Sequence, residues 1–238
     1  MAETPLSESA GRESDAPRSR GQAVFDWLDE RAGLTTIWKT VFARAVPETN
    51  WFYTLGSAST VLALLQVVTG MLLTIYYVPS PDHAYESIQY IMQDVTFGWL
   101  IRGMHHWGAT LMVLVVFLHM LRTFFVGAYK WPRELTWITG VMLLLVVMVL
   151  GFSGYLLPWN QKAYWATSVG TSIIGAVPLV GRVFEDIARG GSTIGAVTLA
   201  RFYGLHIWWM PIALLGLIGA HLYLIIRIGI TAPPERDE

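Results

Sequence analysis

The chain has 238 residues, of which 54% are hydrophobic and only 14% are charged, and it contains no cysteine. A soluble domain carries about 25% charged residues, so the deficit indicates long uncharged segments. The net charge of −1 argues against a nucleic-acid partner. The lack of cysteine excludes disulfides, thiolate metal sites and iron–sulfur ligation within the chain.

The amino-terminal part predicts a disordered polar tail followed by a surface helix. Residues 1–22 are rich in Ser, Glu and Arg, which is typical of disorder, and they lack the apolar core of a signal peptide. Within residues 23–50, apolar side chains recur at helical intervals among charged ones. This pattern predicts an amphipathic helix on the membrane surface and a lead-in to the first membrane span.

Four uncharged segments within residues 51–230 are long enough to cross a bilayer, which needs about 20 apolar residues. They predict transmembrane helices at residues 52–78 (span A), 103–126 (span B), 135–157 (span C) and 202–228 (span D). A fifth uncharged segment, residues 163–181, contains several glycines and a proline, so it predicts short surface helices between spans C and D. The expected fold is all-α, a four-helix membrane bundle followed by a polar tail at residues 231–238.

The basic residues predict the orientation of the chain in the membrane. Four spans place both termini on one side, and that side holds 11 of the 16 Lys and Arg residues. The positive-inside rule therefore predicts a multi-pass integral membrane protein with both termini in the cytoplasm.

Two pairs of histidines within the spans are the candidate functional residues, because ionisable side chains are costly at this depth. His105 and His119 lie 14 residues apart on span B, and His206 and His221 lie 15 apart on span D. Both intervals are about four helical turns, so each pair lies on roughly one helix face. His106 points about 100° away from His105 and is interpreted as a packing or surface residue.

The direction of the spans places these histidines at two depths. Spans B and D run the same way, so His105 faces His206 near the outer surface and His119 faces His221 toward the inside. Two imidazoles across a gap suit the axial ligation of haem iron. The alternative is that each histidine hydrogen-bonds a neighbouring helix.

Glycines on the other two spans repeat the interval of the histidines. Gly56 and Gly70 on span A are 14 residues apart, as are Gly140 and Gly154 on span C. Positions without side chains let a large flat ring approach the backbone, although close helix packing is the alternative explanation.

Three arginines flank the histidines and are candidates for pairing with the carboxylate tails of a haem. The alternative is that they extend to the lipid headgroups. They are Arg102, Arg122 and Arg201.

Four stretches resemble the amino-terminal half of cytochrome b, over roughly residues 23–230: RGMHHWGATLMVLVVFLHMLR (102–122), GAYKWPREL (127–135), GYLLPWNQKAYWAT (154–167) and RFYGLHIWWMPIALLGLIGAH (201–221). The 14- and 15-residue spacings are similar to the split, cytochrome b6-like form of bc- and b6f-type complexes. The resemblance implies two non-covalent b-type haems, the outer on His105 and His206 and the inner on His119 and His221.

The same resemblance implies a function in the respiratory chain or a related electron-transport chain. The chain would be the di-haem subunit of a quinol:cytochrome c or plastocyanin-type oxidoreductase, with no catalytic residue assigned to it alone. Its implied partners are a Rieske iron–sulfur protein and a c-type cytochrome or equivalent acceptor, in a dimeric complex of the bacterial inner membrane. It also implies an outer quinol site near Tyr155, Ala166 and Val169, and Arg227 is assigned to the inner quinone site from its position.

Two departures from the family pattern sharpen these expectations. The Pro-Glu-Trp-Tyr motif of the family is absent, so a separate subunit-IV-like carboxy-terminal fragment is expected to complete the quinol site. Thr54 stands where the cytochrome b6 form has the cysteine of an extra, covalently bound haem, so this haem is expected to be absent. The alternative functions are a di-haem quinone-reactive anchor of another respiratory or nitrogen-cycle complex, and a transporter or scaffold without haem.

Overall fold

The computed structural model describes residues 19–41 and 51–231. Most of the two predicted tails, 1–22 and 231–238, lies outside the described residues, as do residues 42–50 at the end of the predicted surface helix and lead-in. Contacts divide the chain into two units, Met1–Val46 and Pro47–Glu238.

The described part of the amino-terminal unit consists of two helices, where the sequence predicts a single amphipathic helix. Helix α1 (Arg20–Ala32) begins inside the predicted tail, because Ser19 and Gln22 exchange hydrogen bonds in a capping box. Gly33 ends α1 with a left-handed φ of 63°, and α2 (Leu34–Val41) follows. The Asp29 carboxylate accepts hydrogen bonds from Thr35, which lower the pKa of Asp29.

All regular secondary structure in the described part of the second unit is helical. A short 3-10 turn, Trp51–Thr54, leads into the first long helix. The helices are α3 (Leu55–Thr74), α4 (Ala84–Gln93), α5 (Gly98–Phe125), α6 (Glu134–Leu156), α7 (Gln161–Gly175), α8 (Gly181–Arg189), α9 (Ala196–Gly204) and α10 (Met210–Ile228). A π-helical turn, Leu205–Trp209, joins α9 to α10 without interrupting the helix.

Four segments among the described residues are long and apolar enough to cross a membrane: Trp51–Thr74, Gly98–Phe125, Glu134–Leu156 and Ala196–Ile228. They correspond to spans A to D, which confirms the predicted all-α, four-span class. Span A ends four residues earlier than predicted, and spans B and D begin five and six residues earlier. The segment 163–181 forms parts of α7 and α8 rather than a span, as the sequence predicts.

The centre of the bundle is a layer to which each span contributes one buried side chain. Helix α3 packs along α5, and α6 packs along α10. The four buried residues of this layer are Ala63, Met112, Val147 and Leu214, and we call them the central layer.

A buried ion pair within α8 also bonds to α7, and both helices lie between the third and fourth spans. Glu185 on α8 is 5% exposed, and its carboxylate lies 2.8 Å from an Nη atom of Arg189. Arg189 also donates hydrogen bonds to Thr171 and Ser172 on α7. Removing one partner of such a pair leaves an unpaired buried charge, so this network holds α8 against α7.

Two histidine levels between four helices

The outer level is formed by His105 on α5 and His206 in the π-helical turn. Their ring centroids are 6.2 Å apart and the rings are nearly perpendicular, at 79°. Imidazole–metal bonds of about 2 Å on each side place two axial rings about 6 Å apart, so the gap has the width of one metal ion.

The inner level is formed by His119 on α5 and His221 on α10. These two side chains lie close enough to interact electrostatically. They occupy the opposite side of the central layer from the outer level. The structure therefore brings together the two histidine pairs that the sequence predicts.

Each histidine faces one of the four glycines of the 14-residue pattern. A Cβ atom at Gly56 would lie 3.1 Å from the His119 ring, and one at Gly70 would lie 3.2 Å from the His105 ring. The corresponding distances are 3.4 Å from Gly140 to His221 and 2.6 Å from Gly154 to His206. A methyl group at these positions would press on the rings, so the glycines give the imidazoles room to stand in the bundle.

Gly154→Ala should therefore displace His206 and weaken or abolish any cofactor binding at the outer level. Gly151→Ala is the matched control, because it lies one helical turn away on α6 and its Cβ would meet no atom within 4 Å. Haem content per purified polypeptide measures the effect. Equal haem content in the two variants would contradict a spatial role for Gly154.

On three of the four spans, the central-layer residue lies midway in sequence between the positions of the two levels. Met112 lies seven residues from both His105 and His119, and Ala63 and Val147 lie seven residues from the glycines on either side of them. On the fourth span, Leu214 lies seven residues before His221 but eight after His206. The extra residue thus falls between His206 and Leu214.

The π-helical turn accounts for this extra residue. A π-turn is a one-residue insertion that the helix absorbs locally through i→i+5 hydrogen bonds. Leu205–Trp209 contains His206 and ends before Leu214. In a straight α-helix, residues 14 apart point about 40° away from each other in one direction and residues 15 apart point about 60° away in the other, so the two spacings aim the second histidine in directions that differ by about 100°. The sequence shows the extra residue, but it does not reveal where the helix takes it up.

Hydroxyl groups beside the glycines bind three of the four imidazoles. Thr69 Oγ1 lies 2.9 Å from Nδ1 of His105, and Ser153 Oγ lies 3.2 Å from Nδ1 of His206. Thr139 Oγ1 lies 2.9 Å from Nδ1 of His221. These residues were missed in the sequence, although each immediately precedes a glycine of the 14-residue pattern.

The three arginines differ in their surroundings. Arg102 on α5 donates to the thioether of Met92, a weak acceptor, and Arg201 donates to the backbone carbonyl of Ile187. The guanidinium carbon of Arg122 lies 3.4 Å from the centre of the Tyr53 ring. Within the described residues, Nε and Nη2 of Arg122 are buried without a hydrogen-bond partner.

The residues predicted to line the quinone sites are all exposed. Tyr155 lies in the last turn of α6, Ala166 and Val169 lie on α7, and Arg227 lies in the last turn of α10. Their exposure is compatible with a ligand or a partner chain, but it assigns no site.

Thr54 ends the 3-10 turn, two residues before Gly56, and donates its hydroxyl hydrogen to the Trp51 carbonyl at 2.6 Å.

The paired histidines favour a metal whose other ligands come from a cofactor and not from the protein. Among the described residues, no cluster of three or more His, Asp or Glu could hold a bare ion. Two imidazoles on opposite sides of a gap suit haem iron, whose porphyrin supplies the other four ligands. The fold and the paired imidazoles therefore define a class: helical membrane proteins built to hold flat metal cofactors.

Comparison with known proteins places the chain within this class. It matches the model of the cytochrome b/b6/petB family over residues 42–229, and it belongs to this family. The resemblance to cytochrome b seen in the sequence is thus confirmed, and the chain is an integral membrane protein.

The matching relatives include a menaquinol:cytochrome c reductase subunit and cytochrome b6. The chain is 46% identical over 219 residues to the menaquinol:cytochrome c reductase cytochrome b subunit of Geobacillus thermodenitrificans, covering 88% of this chain and 98% of the relative. It is 41% identical over 216 residues to cytochrome b6 of Prochlorococcus marinus (strain MIT 9515), covering 90% and 99%. A chain of a hyperthermophilic respiratory complex III matches the structure with a TM-score of 0.81 and 38% identity, and the match covers 90% of this chain but only 58% of that one.

Proposed function

We propose that this chain is the di-haem b subunit of a bc- or b6f-type quinol oxidoreductase, an enzyme subunit that is not complete alone. It carries electrons across the membrane between a quinol-oxidising site at the outer face and a quinone-reducing site at the inner face. The observation that carries the proposal is the pair of histidine levels on opposite sides of the central layer. The relatives named as a menaquinol:cytochrome c reductase subunit and as cytochrome b6 support it.

Each histidine level would hold one non-covalent b-type haem, which supplies a one-electron carrier when bound. His105 and His206 would ligate the outer iron, and His119 and His221 would ligate the inner iron. Each glycine leaves room for the imidazole that faces it. The four glycines would therefore contribute to haem binding by letting the ligand rings take their places beside the macrocycle.

The arginines would bind the carboxylate tails of these haems. The clearest support comes from Arg122, because a buried guanidinium with unpaired nitrogens is costly without an anion. A propionate beside the inner level would satisfy it through charge-assisted hydrogen bonds. Arg102 and Arg201, next to His105 and His206 in sequence, would serve the outer haem.

The quinone sites and partners follow from the family. Tyr155, Ala166 and Val169 would line the outer quinol site, and Arg227 would face the inner one. A Rieske iron–sulfur protein and a c-type cytochrome or equivalent would accept electrons at the outer face. A subunit-IV-like chain would bring the missing Pro-Glu-Trp-Tyr motif, within a dimeric complex.

The basic residues support an orientation with both termini in the cytoplasm of a bacterial cell. The inner level then lies on the cytoplasmic side, and the outer level lies on the side of the Rieske partner.

Purification of the native complex with a subunit inventory and haem analysis tests the proposal. We expect two b-type haems per copy of this chain, a Rieske protein and a chain containing Pro-Glu-Trp-Tyr. Two haems with a dehydrogenase or nitrogen-cycle partner and no Rieske protein would favour the anchor alternative. The lack of a dithionite-reducible b-type absorption band would refute every redox function.

We further propose that this subunit carries no covalently bound haem, because Thr54 cannot form a thioether. Mass spectrometry of the denatured subunit should give the mass of the polypeptide alone. A c-type cytochrome in the same sample is the control, since its haem survives denaturation. A subunit mass increased by one haem would contradict this prediction.

A further inference from the structure

The hydroxyl groups beside the haem-ligand candidates have only one proton each, and that proton has a partner. Thr69 Oγ1 lies 2.6 Å from the Leu65 carbonyl oxygen. Two oxygens this close require a hydrogen between them, so Thr69 donates to its own helix backbone. Toward His105 the hydroxyl can therefore act only as an acceptor.

This fixes which nitrogen of the imidazole carries hydrogen. Nδ1 of His105 must donate to Thr69, which leaves the lone pair on Nε2. Nε2 is thus the nitrogen that is ready to bind a metal.

The same arrangement recurs at two further histidines. Thr139 Oγ1 lies 2.9 Å and 3.0 Å from two backbone carbonyls of α6, and it accepts from His221. Ser153 Oγ lies 3.2 Å from the Leu150 carbonyl and accepts from His206.

The fourth position breaks the pattern. Thr69, Thr139 and Ser153 each stand directly before the glycine that faces a histidine, but the residue before Gly56 is Leu55. Leucine has no hydroxyl, so His119 has no such acceptor for its Nδ1 hydrogen. Among the described residues, the outer level has two hydroxyl acceptors and the inner level has one.

We infer that Thr69, Ser153 and Thr139 are positioning residues that fix the tautomer of the ligating histidines and lower the reduction potentials of the haems. The inference rests on the proposed function. An imidazole that donates from Nδ1 is a more electron-rich ligand, and it favours ferric over ferrous iron. The unequal number of hydroxyls lowers the outer potential more than the inner one, which favours electron flow from the outer to the inner level.

Redox titration of the two haems in the purified complex tests this inference. Thr69→Val should raise the outer midpoint potential alone, and Thr139→Val should raise the inner one alone. We expect a change of up to about tenfold in the reduction equilibrium, which is about 59 mV for one electron. Leu55→Thr adds the missing hydroxyl and should lower the inner potential.

Thr60→Val is the matched control, because Thr60 lies on α3 and donates to the Gly56 carbonyl in the same i−4 manner. It should change neither potential. Unchanged potentials in Thr69→Val and Thr139→Val, with both haems present, would overturn the inference. If Thr69→Val loses the outer haem, Thr69→Ser should restore it, and failure of that rescue would also contradict the role of the hydroxyl. Absence of haem from the unmodified protein would instead refute the proposed function.

Discussion

Replacing His105 with leucine should leave the purified protein with one b-type haem in place of two, and His206→Leu should remove the same haem. The two rings lie 6.2 Å apart on different helices, so one haem iron would take one ligand from each. His119→Leu and His221→Leu should both remove the other haem. Haem content and redox titration distinguish the two losses. Loss of the outer haem should also reduce quinol oxidation to background, because the electron acceptor nearest the outer quinol site is gone.

His106→Leu is the control for this series. His106 is adjacent to His105, but it is exposed and its ring contacts that of Trp107. Both haems should remain in this variant. The pairing would be contradicted if His105→Leu and His119→Leu removed the same haem, because these residues lie on one helix at different levels.

The parts of the fold that the sequence predicted are those that depend on composition and spacing. Uncharged segments long enough to cross a bilayer identify the spans without any knowledge of packing. The histidine and glycine intervals predict the facing residues, because a helix places side chains four turns apart on one side. The short helices between spans C and D were also correct, since glycine and proline disfavour a span.

Features that depend on local geometry could not be predicted in this way. The break between α1 and α2 requires a left-handed backbone conformation at Gly33. Glycine can adopt this conformation but does so at only some positions, so its presence alone does not predict the break. The role of Thr69 as an acceptor depends on the proton that it gives to Leu65. The unpaired nitrogens of Arg122 appear only when the surrounding helices exclude water. The role of exposed positions such as Val169 stays a prediction, because neither the sequence nor the fold assigns a ligand to them.

Deletion of Trp208 should leave both haems in place, whereas deletion of Trp107 should remove the outer one. Trp208 lies in the π-helical turn, which already contains one residue more than a regular helix needs. Without it, His206 would lie seven residues before Leu214, the same interval that separates His105 from Met112. The turn can then become ordinary α-helix with His206 still facing His105.

Helix α5 has no such extra residue between His105 and His119. Deleting Trp107 would turn the outer part of α5 by about 100° and shift it by about 1.5 Å relative to Met112. His105 would no longer face His206, while His119 would keep its place beyond the central layer. Haem content and redox titration of the two purified variants measure the outcome.

The two deletions form a matched pair. Each removes one tryptophan, 70% exposed at position 107 and 63% exposed at position 208, and each lies two residues after an outer histidine. A general intolerance of the bundle to deletions would affect both variants equally. If both variants lost the outer haem, the π-helical turn would not be the element that accommodates the extra residue between His206 and Leu214. A difference between them would mean that register at the central layer, and not the total spacing along each helix, decides whether two histidines meet.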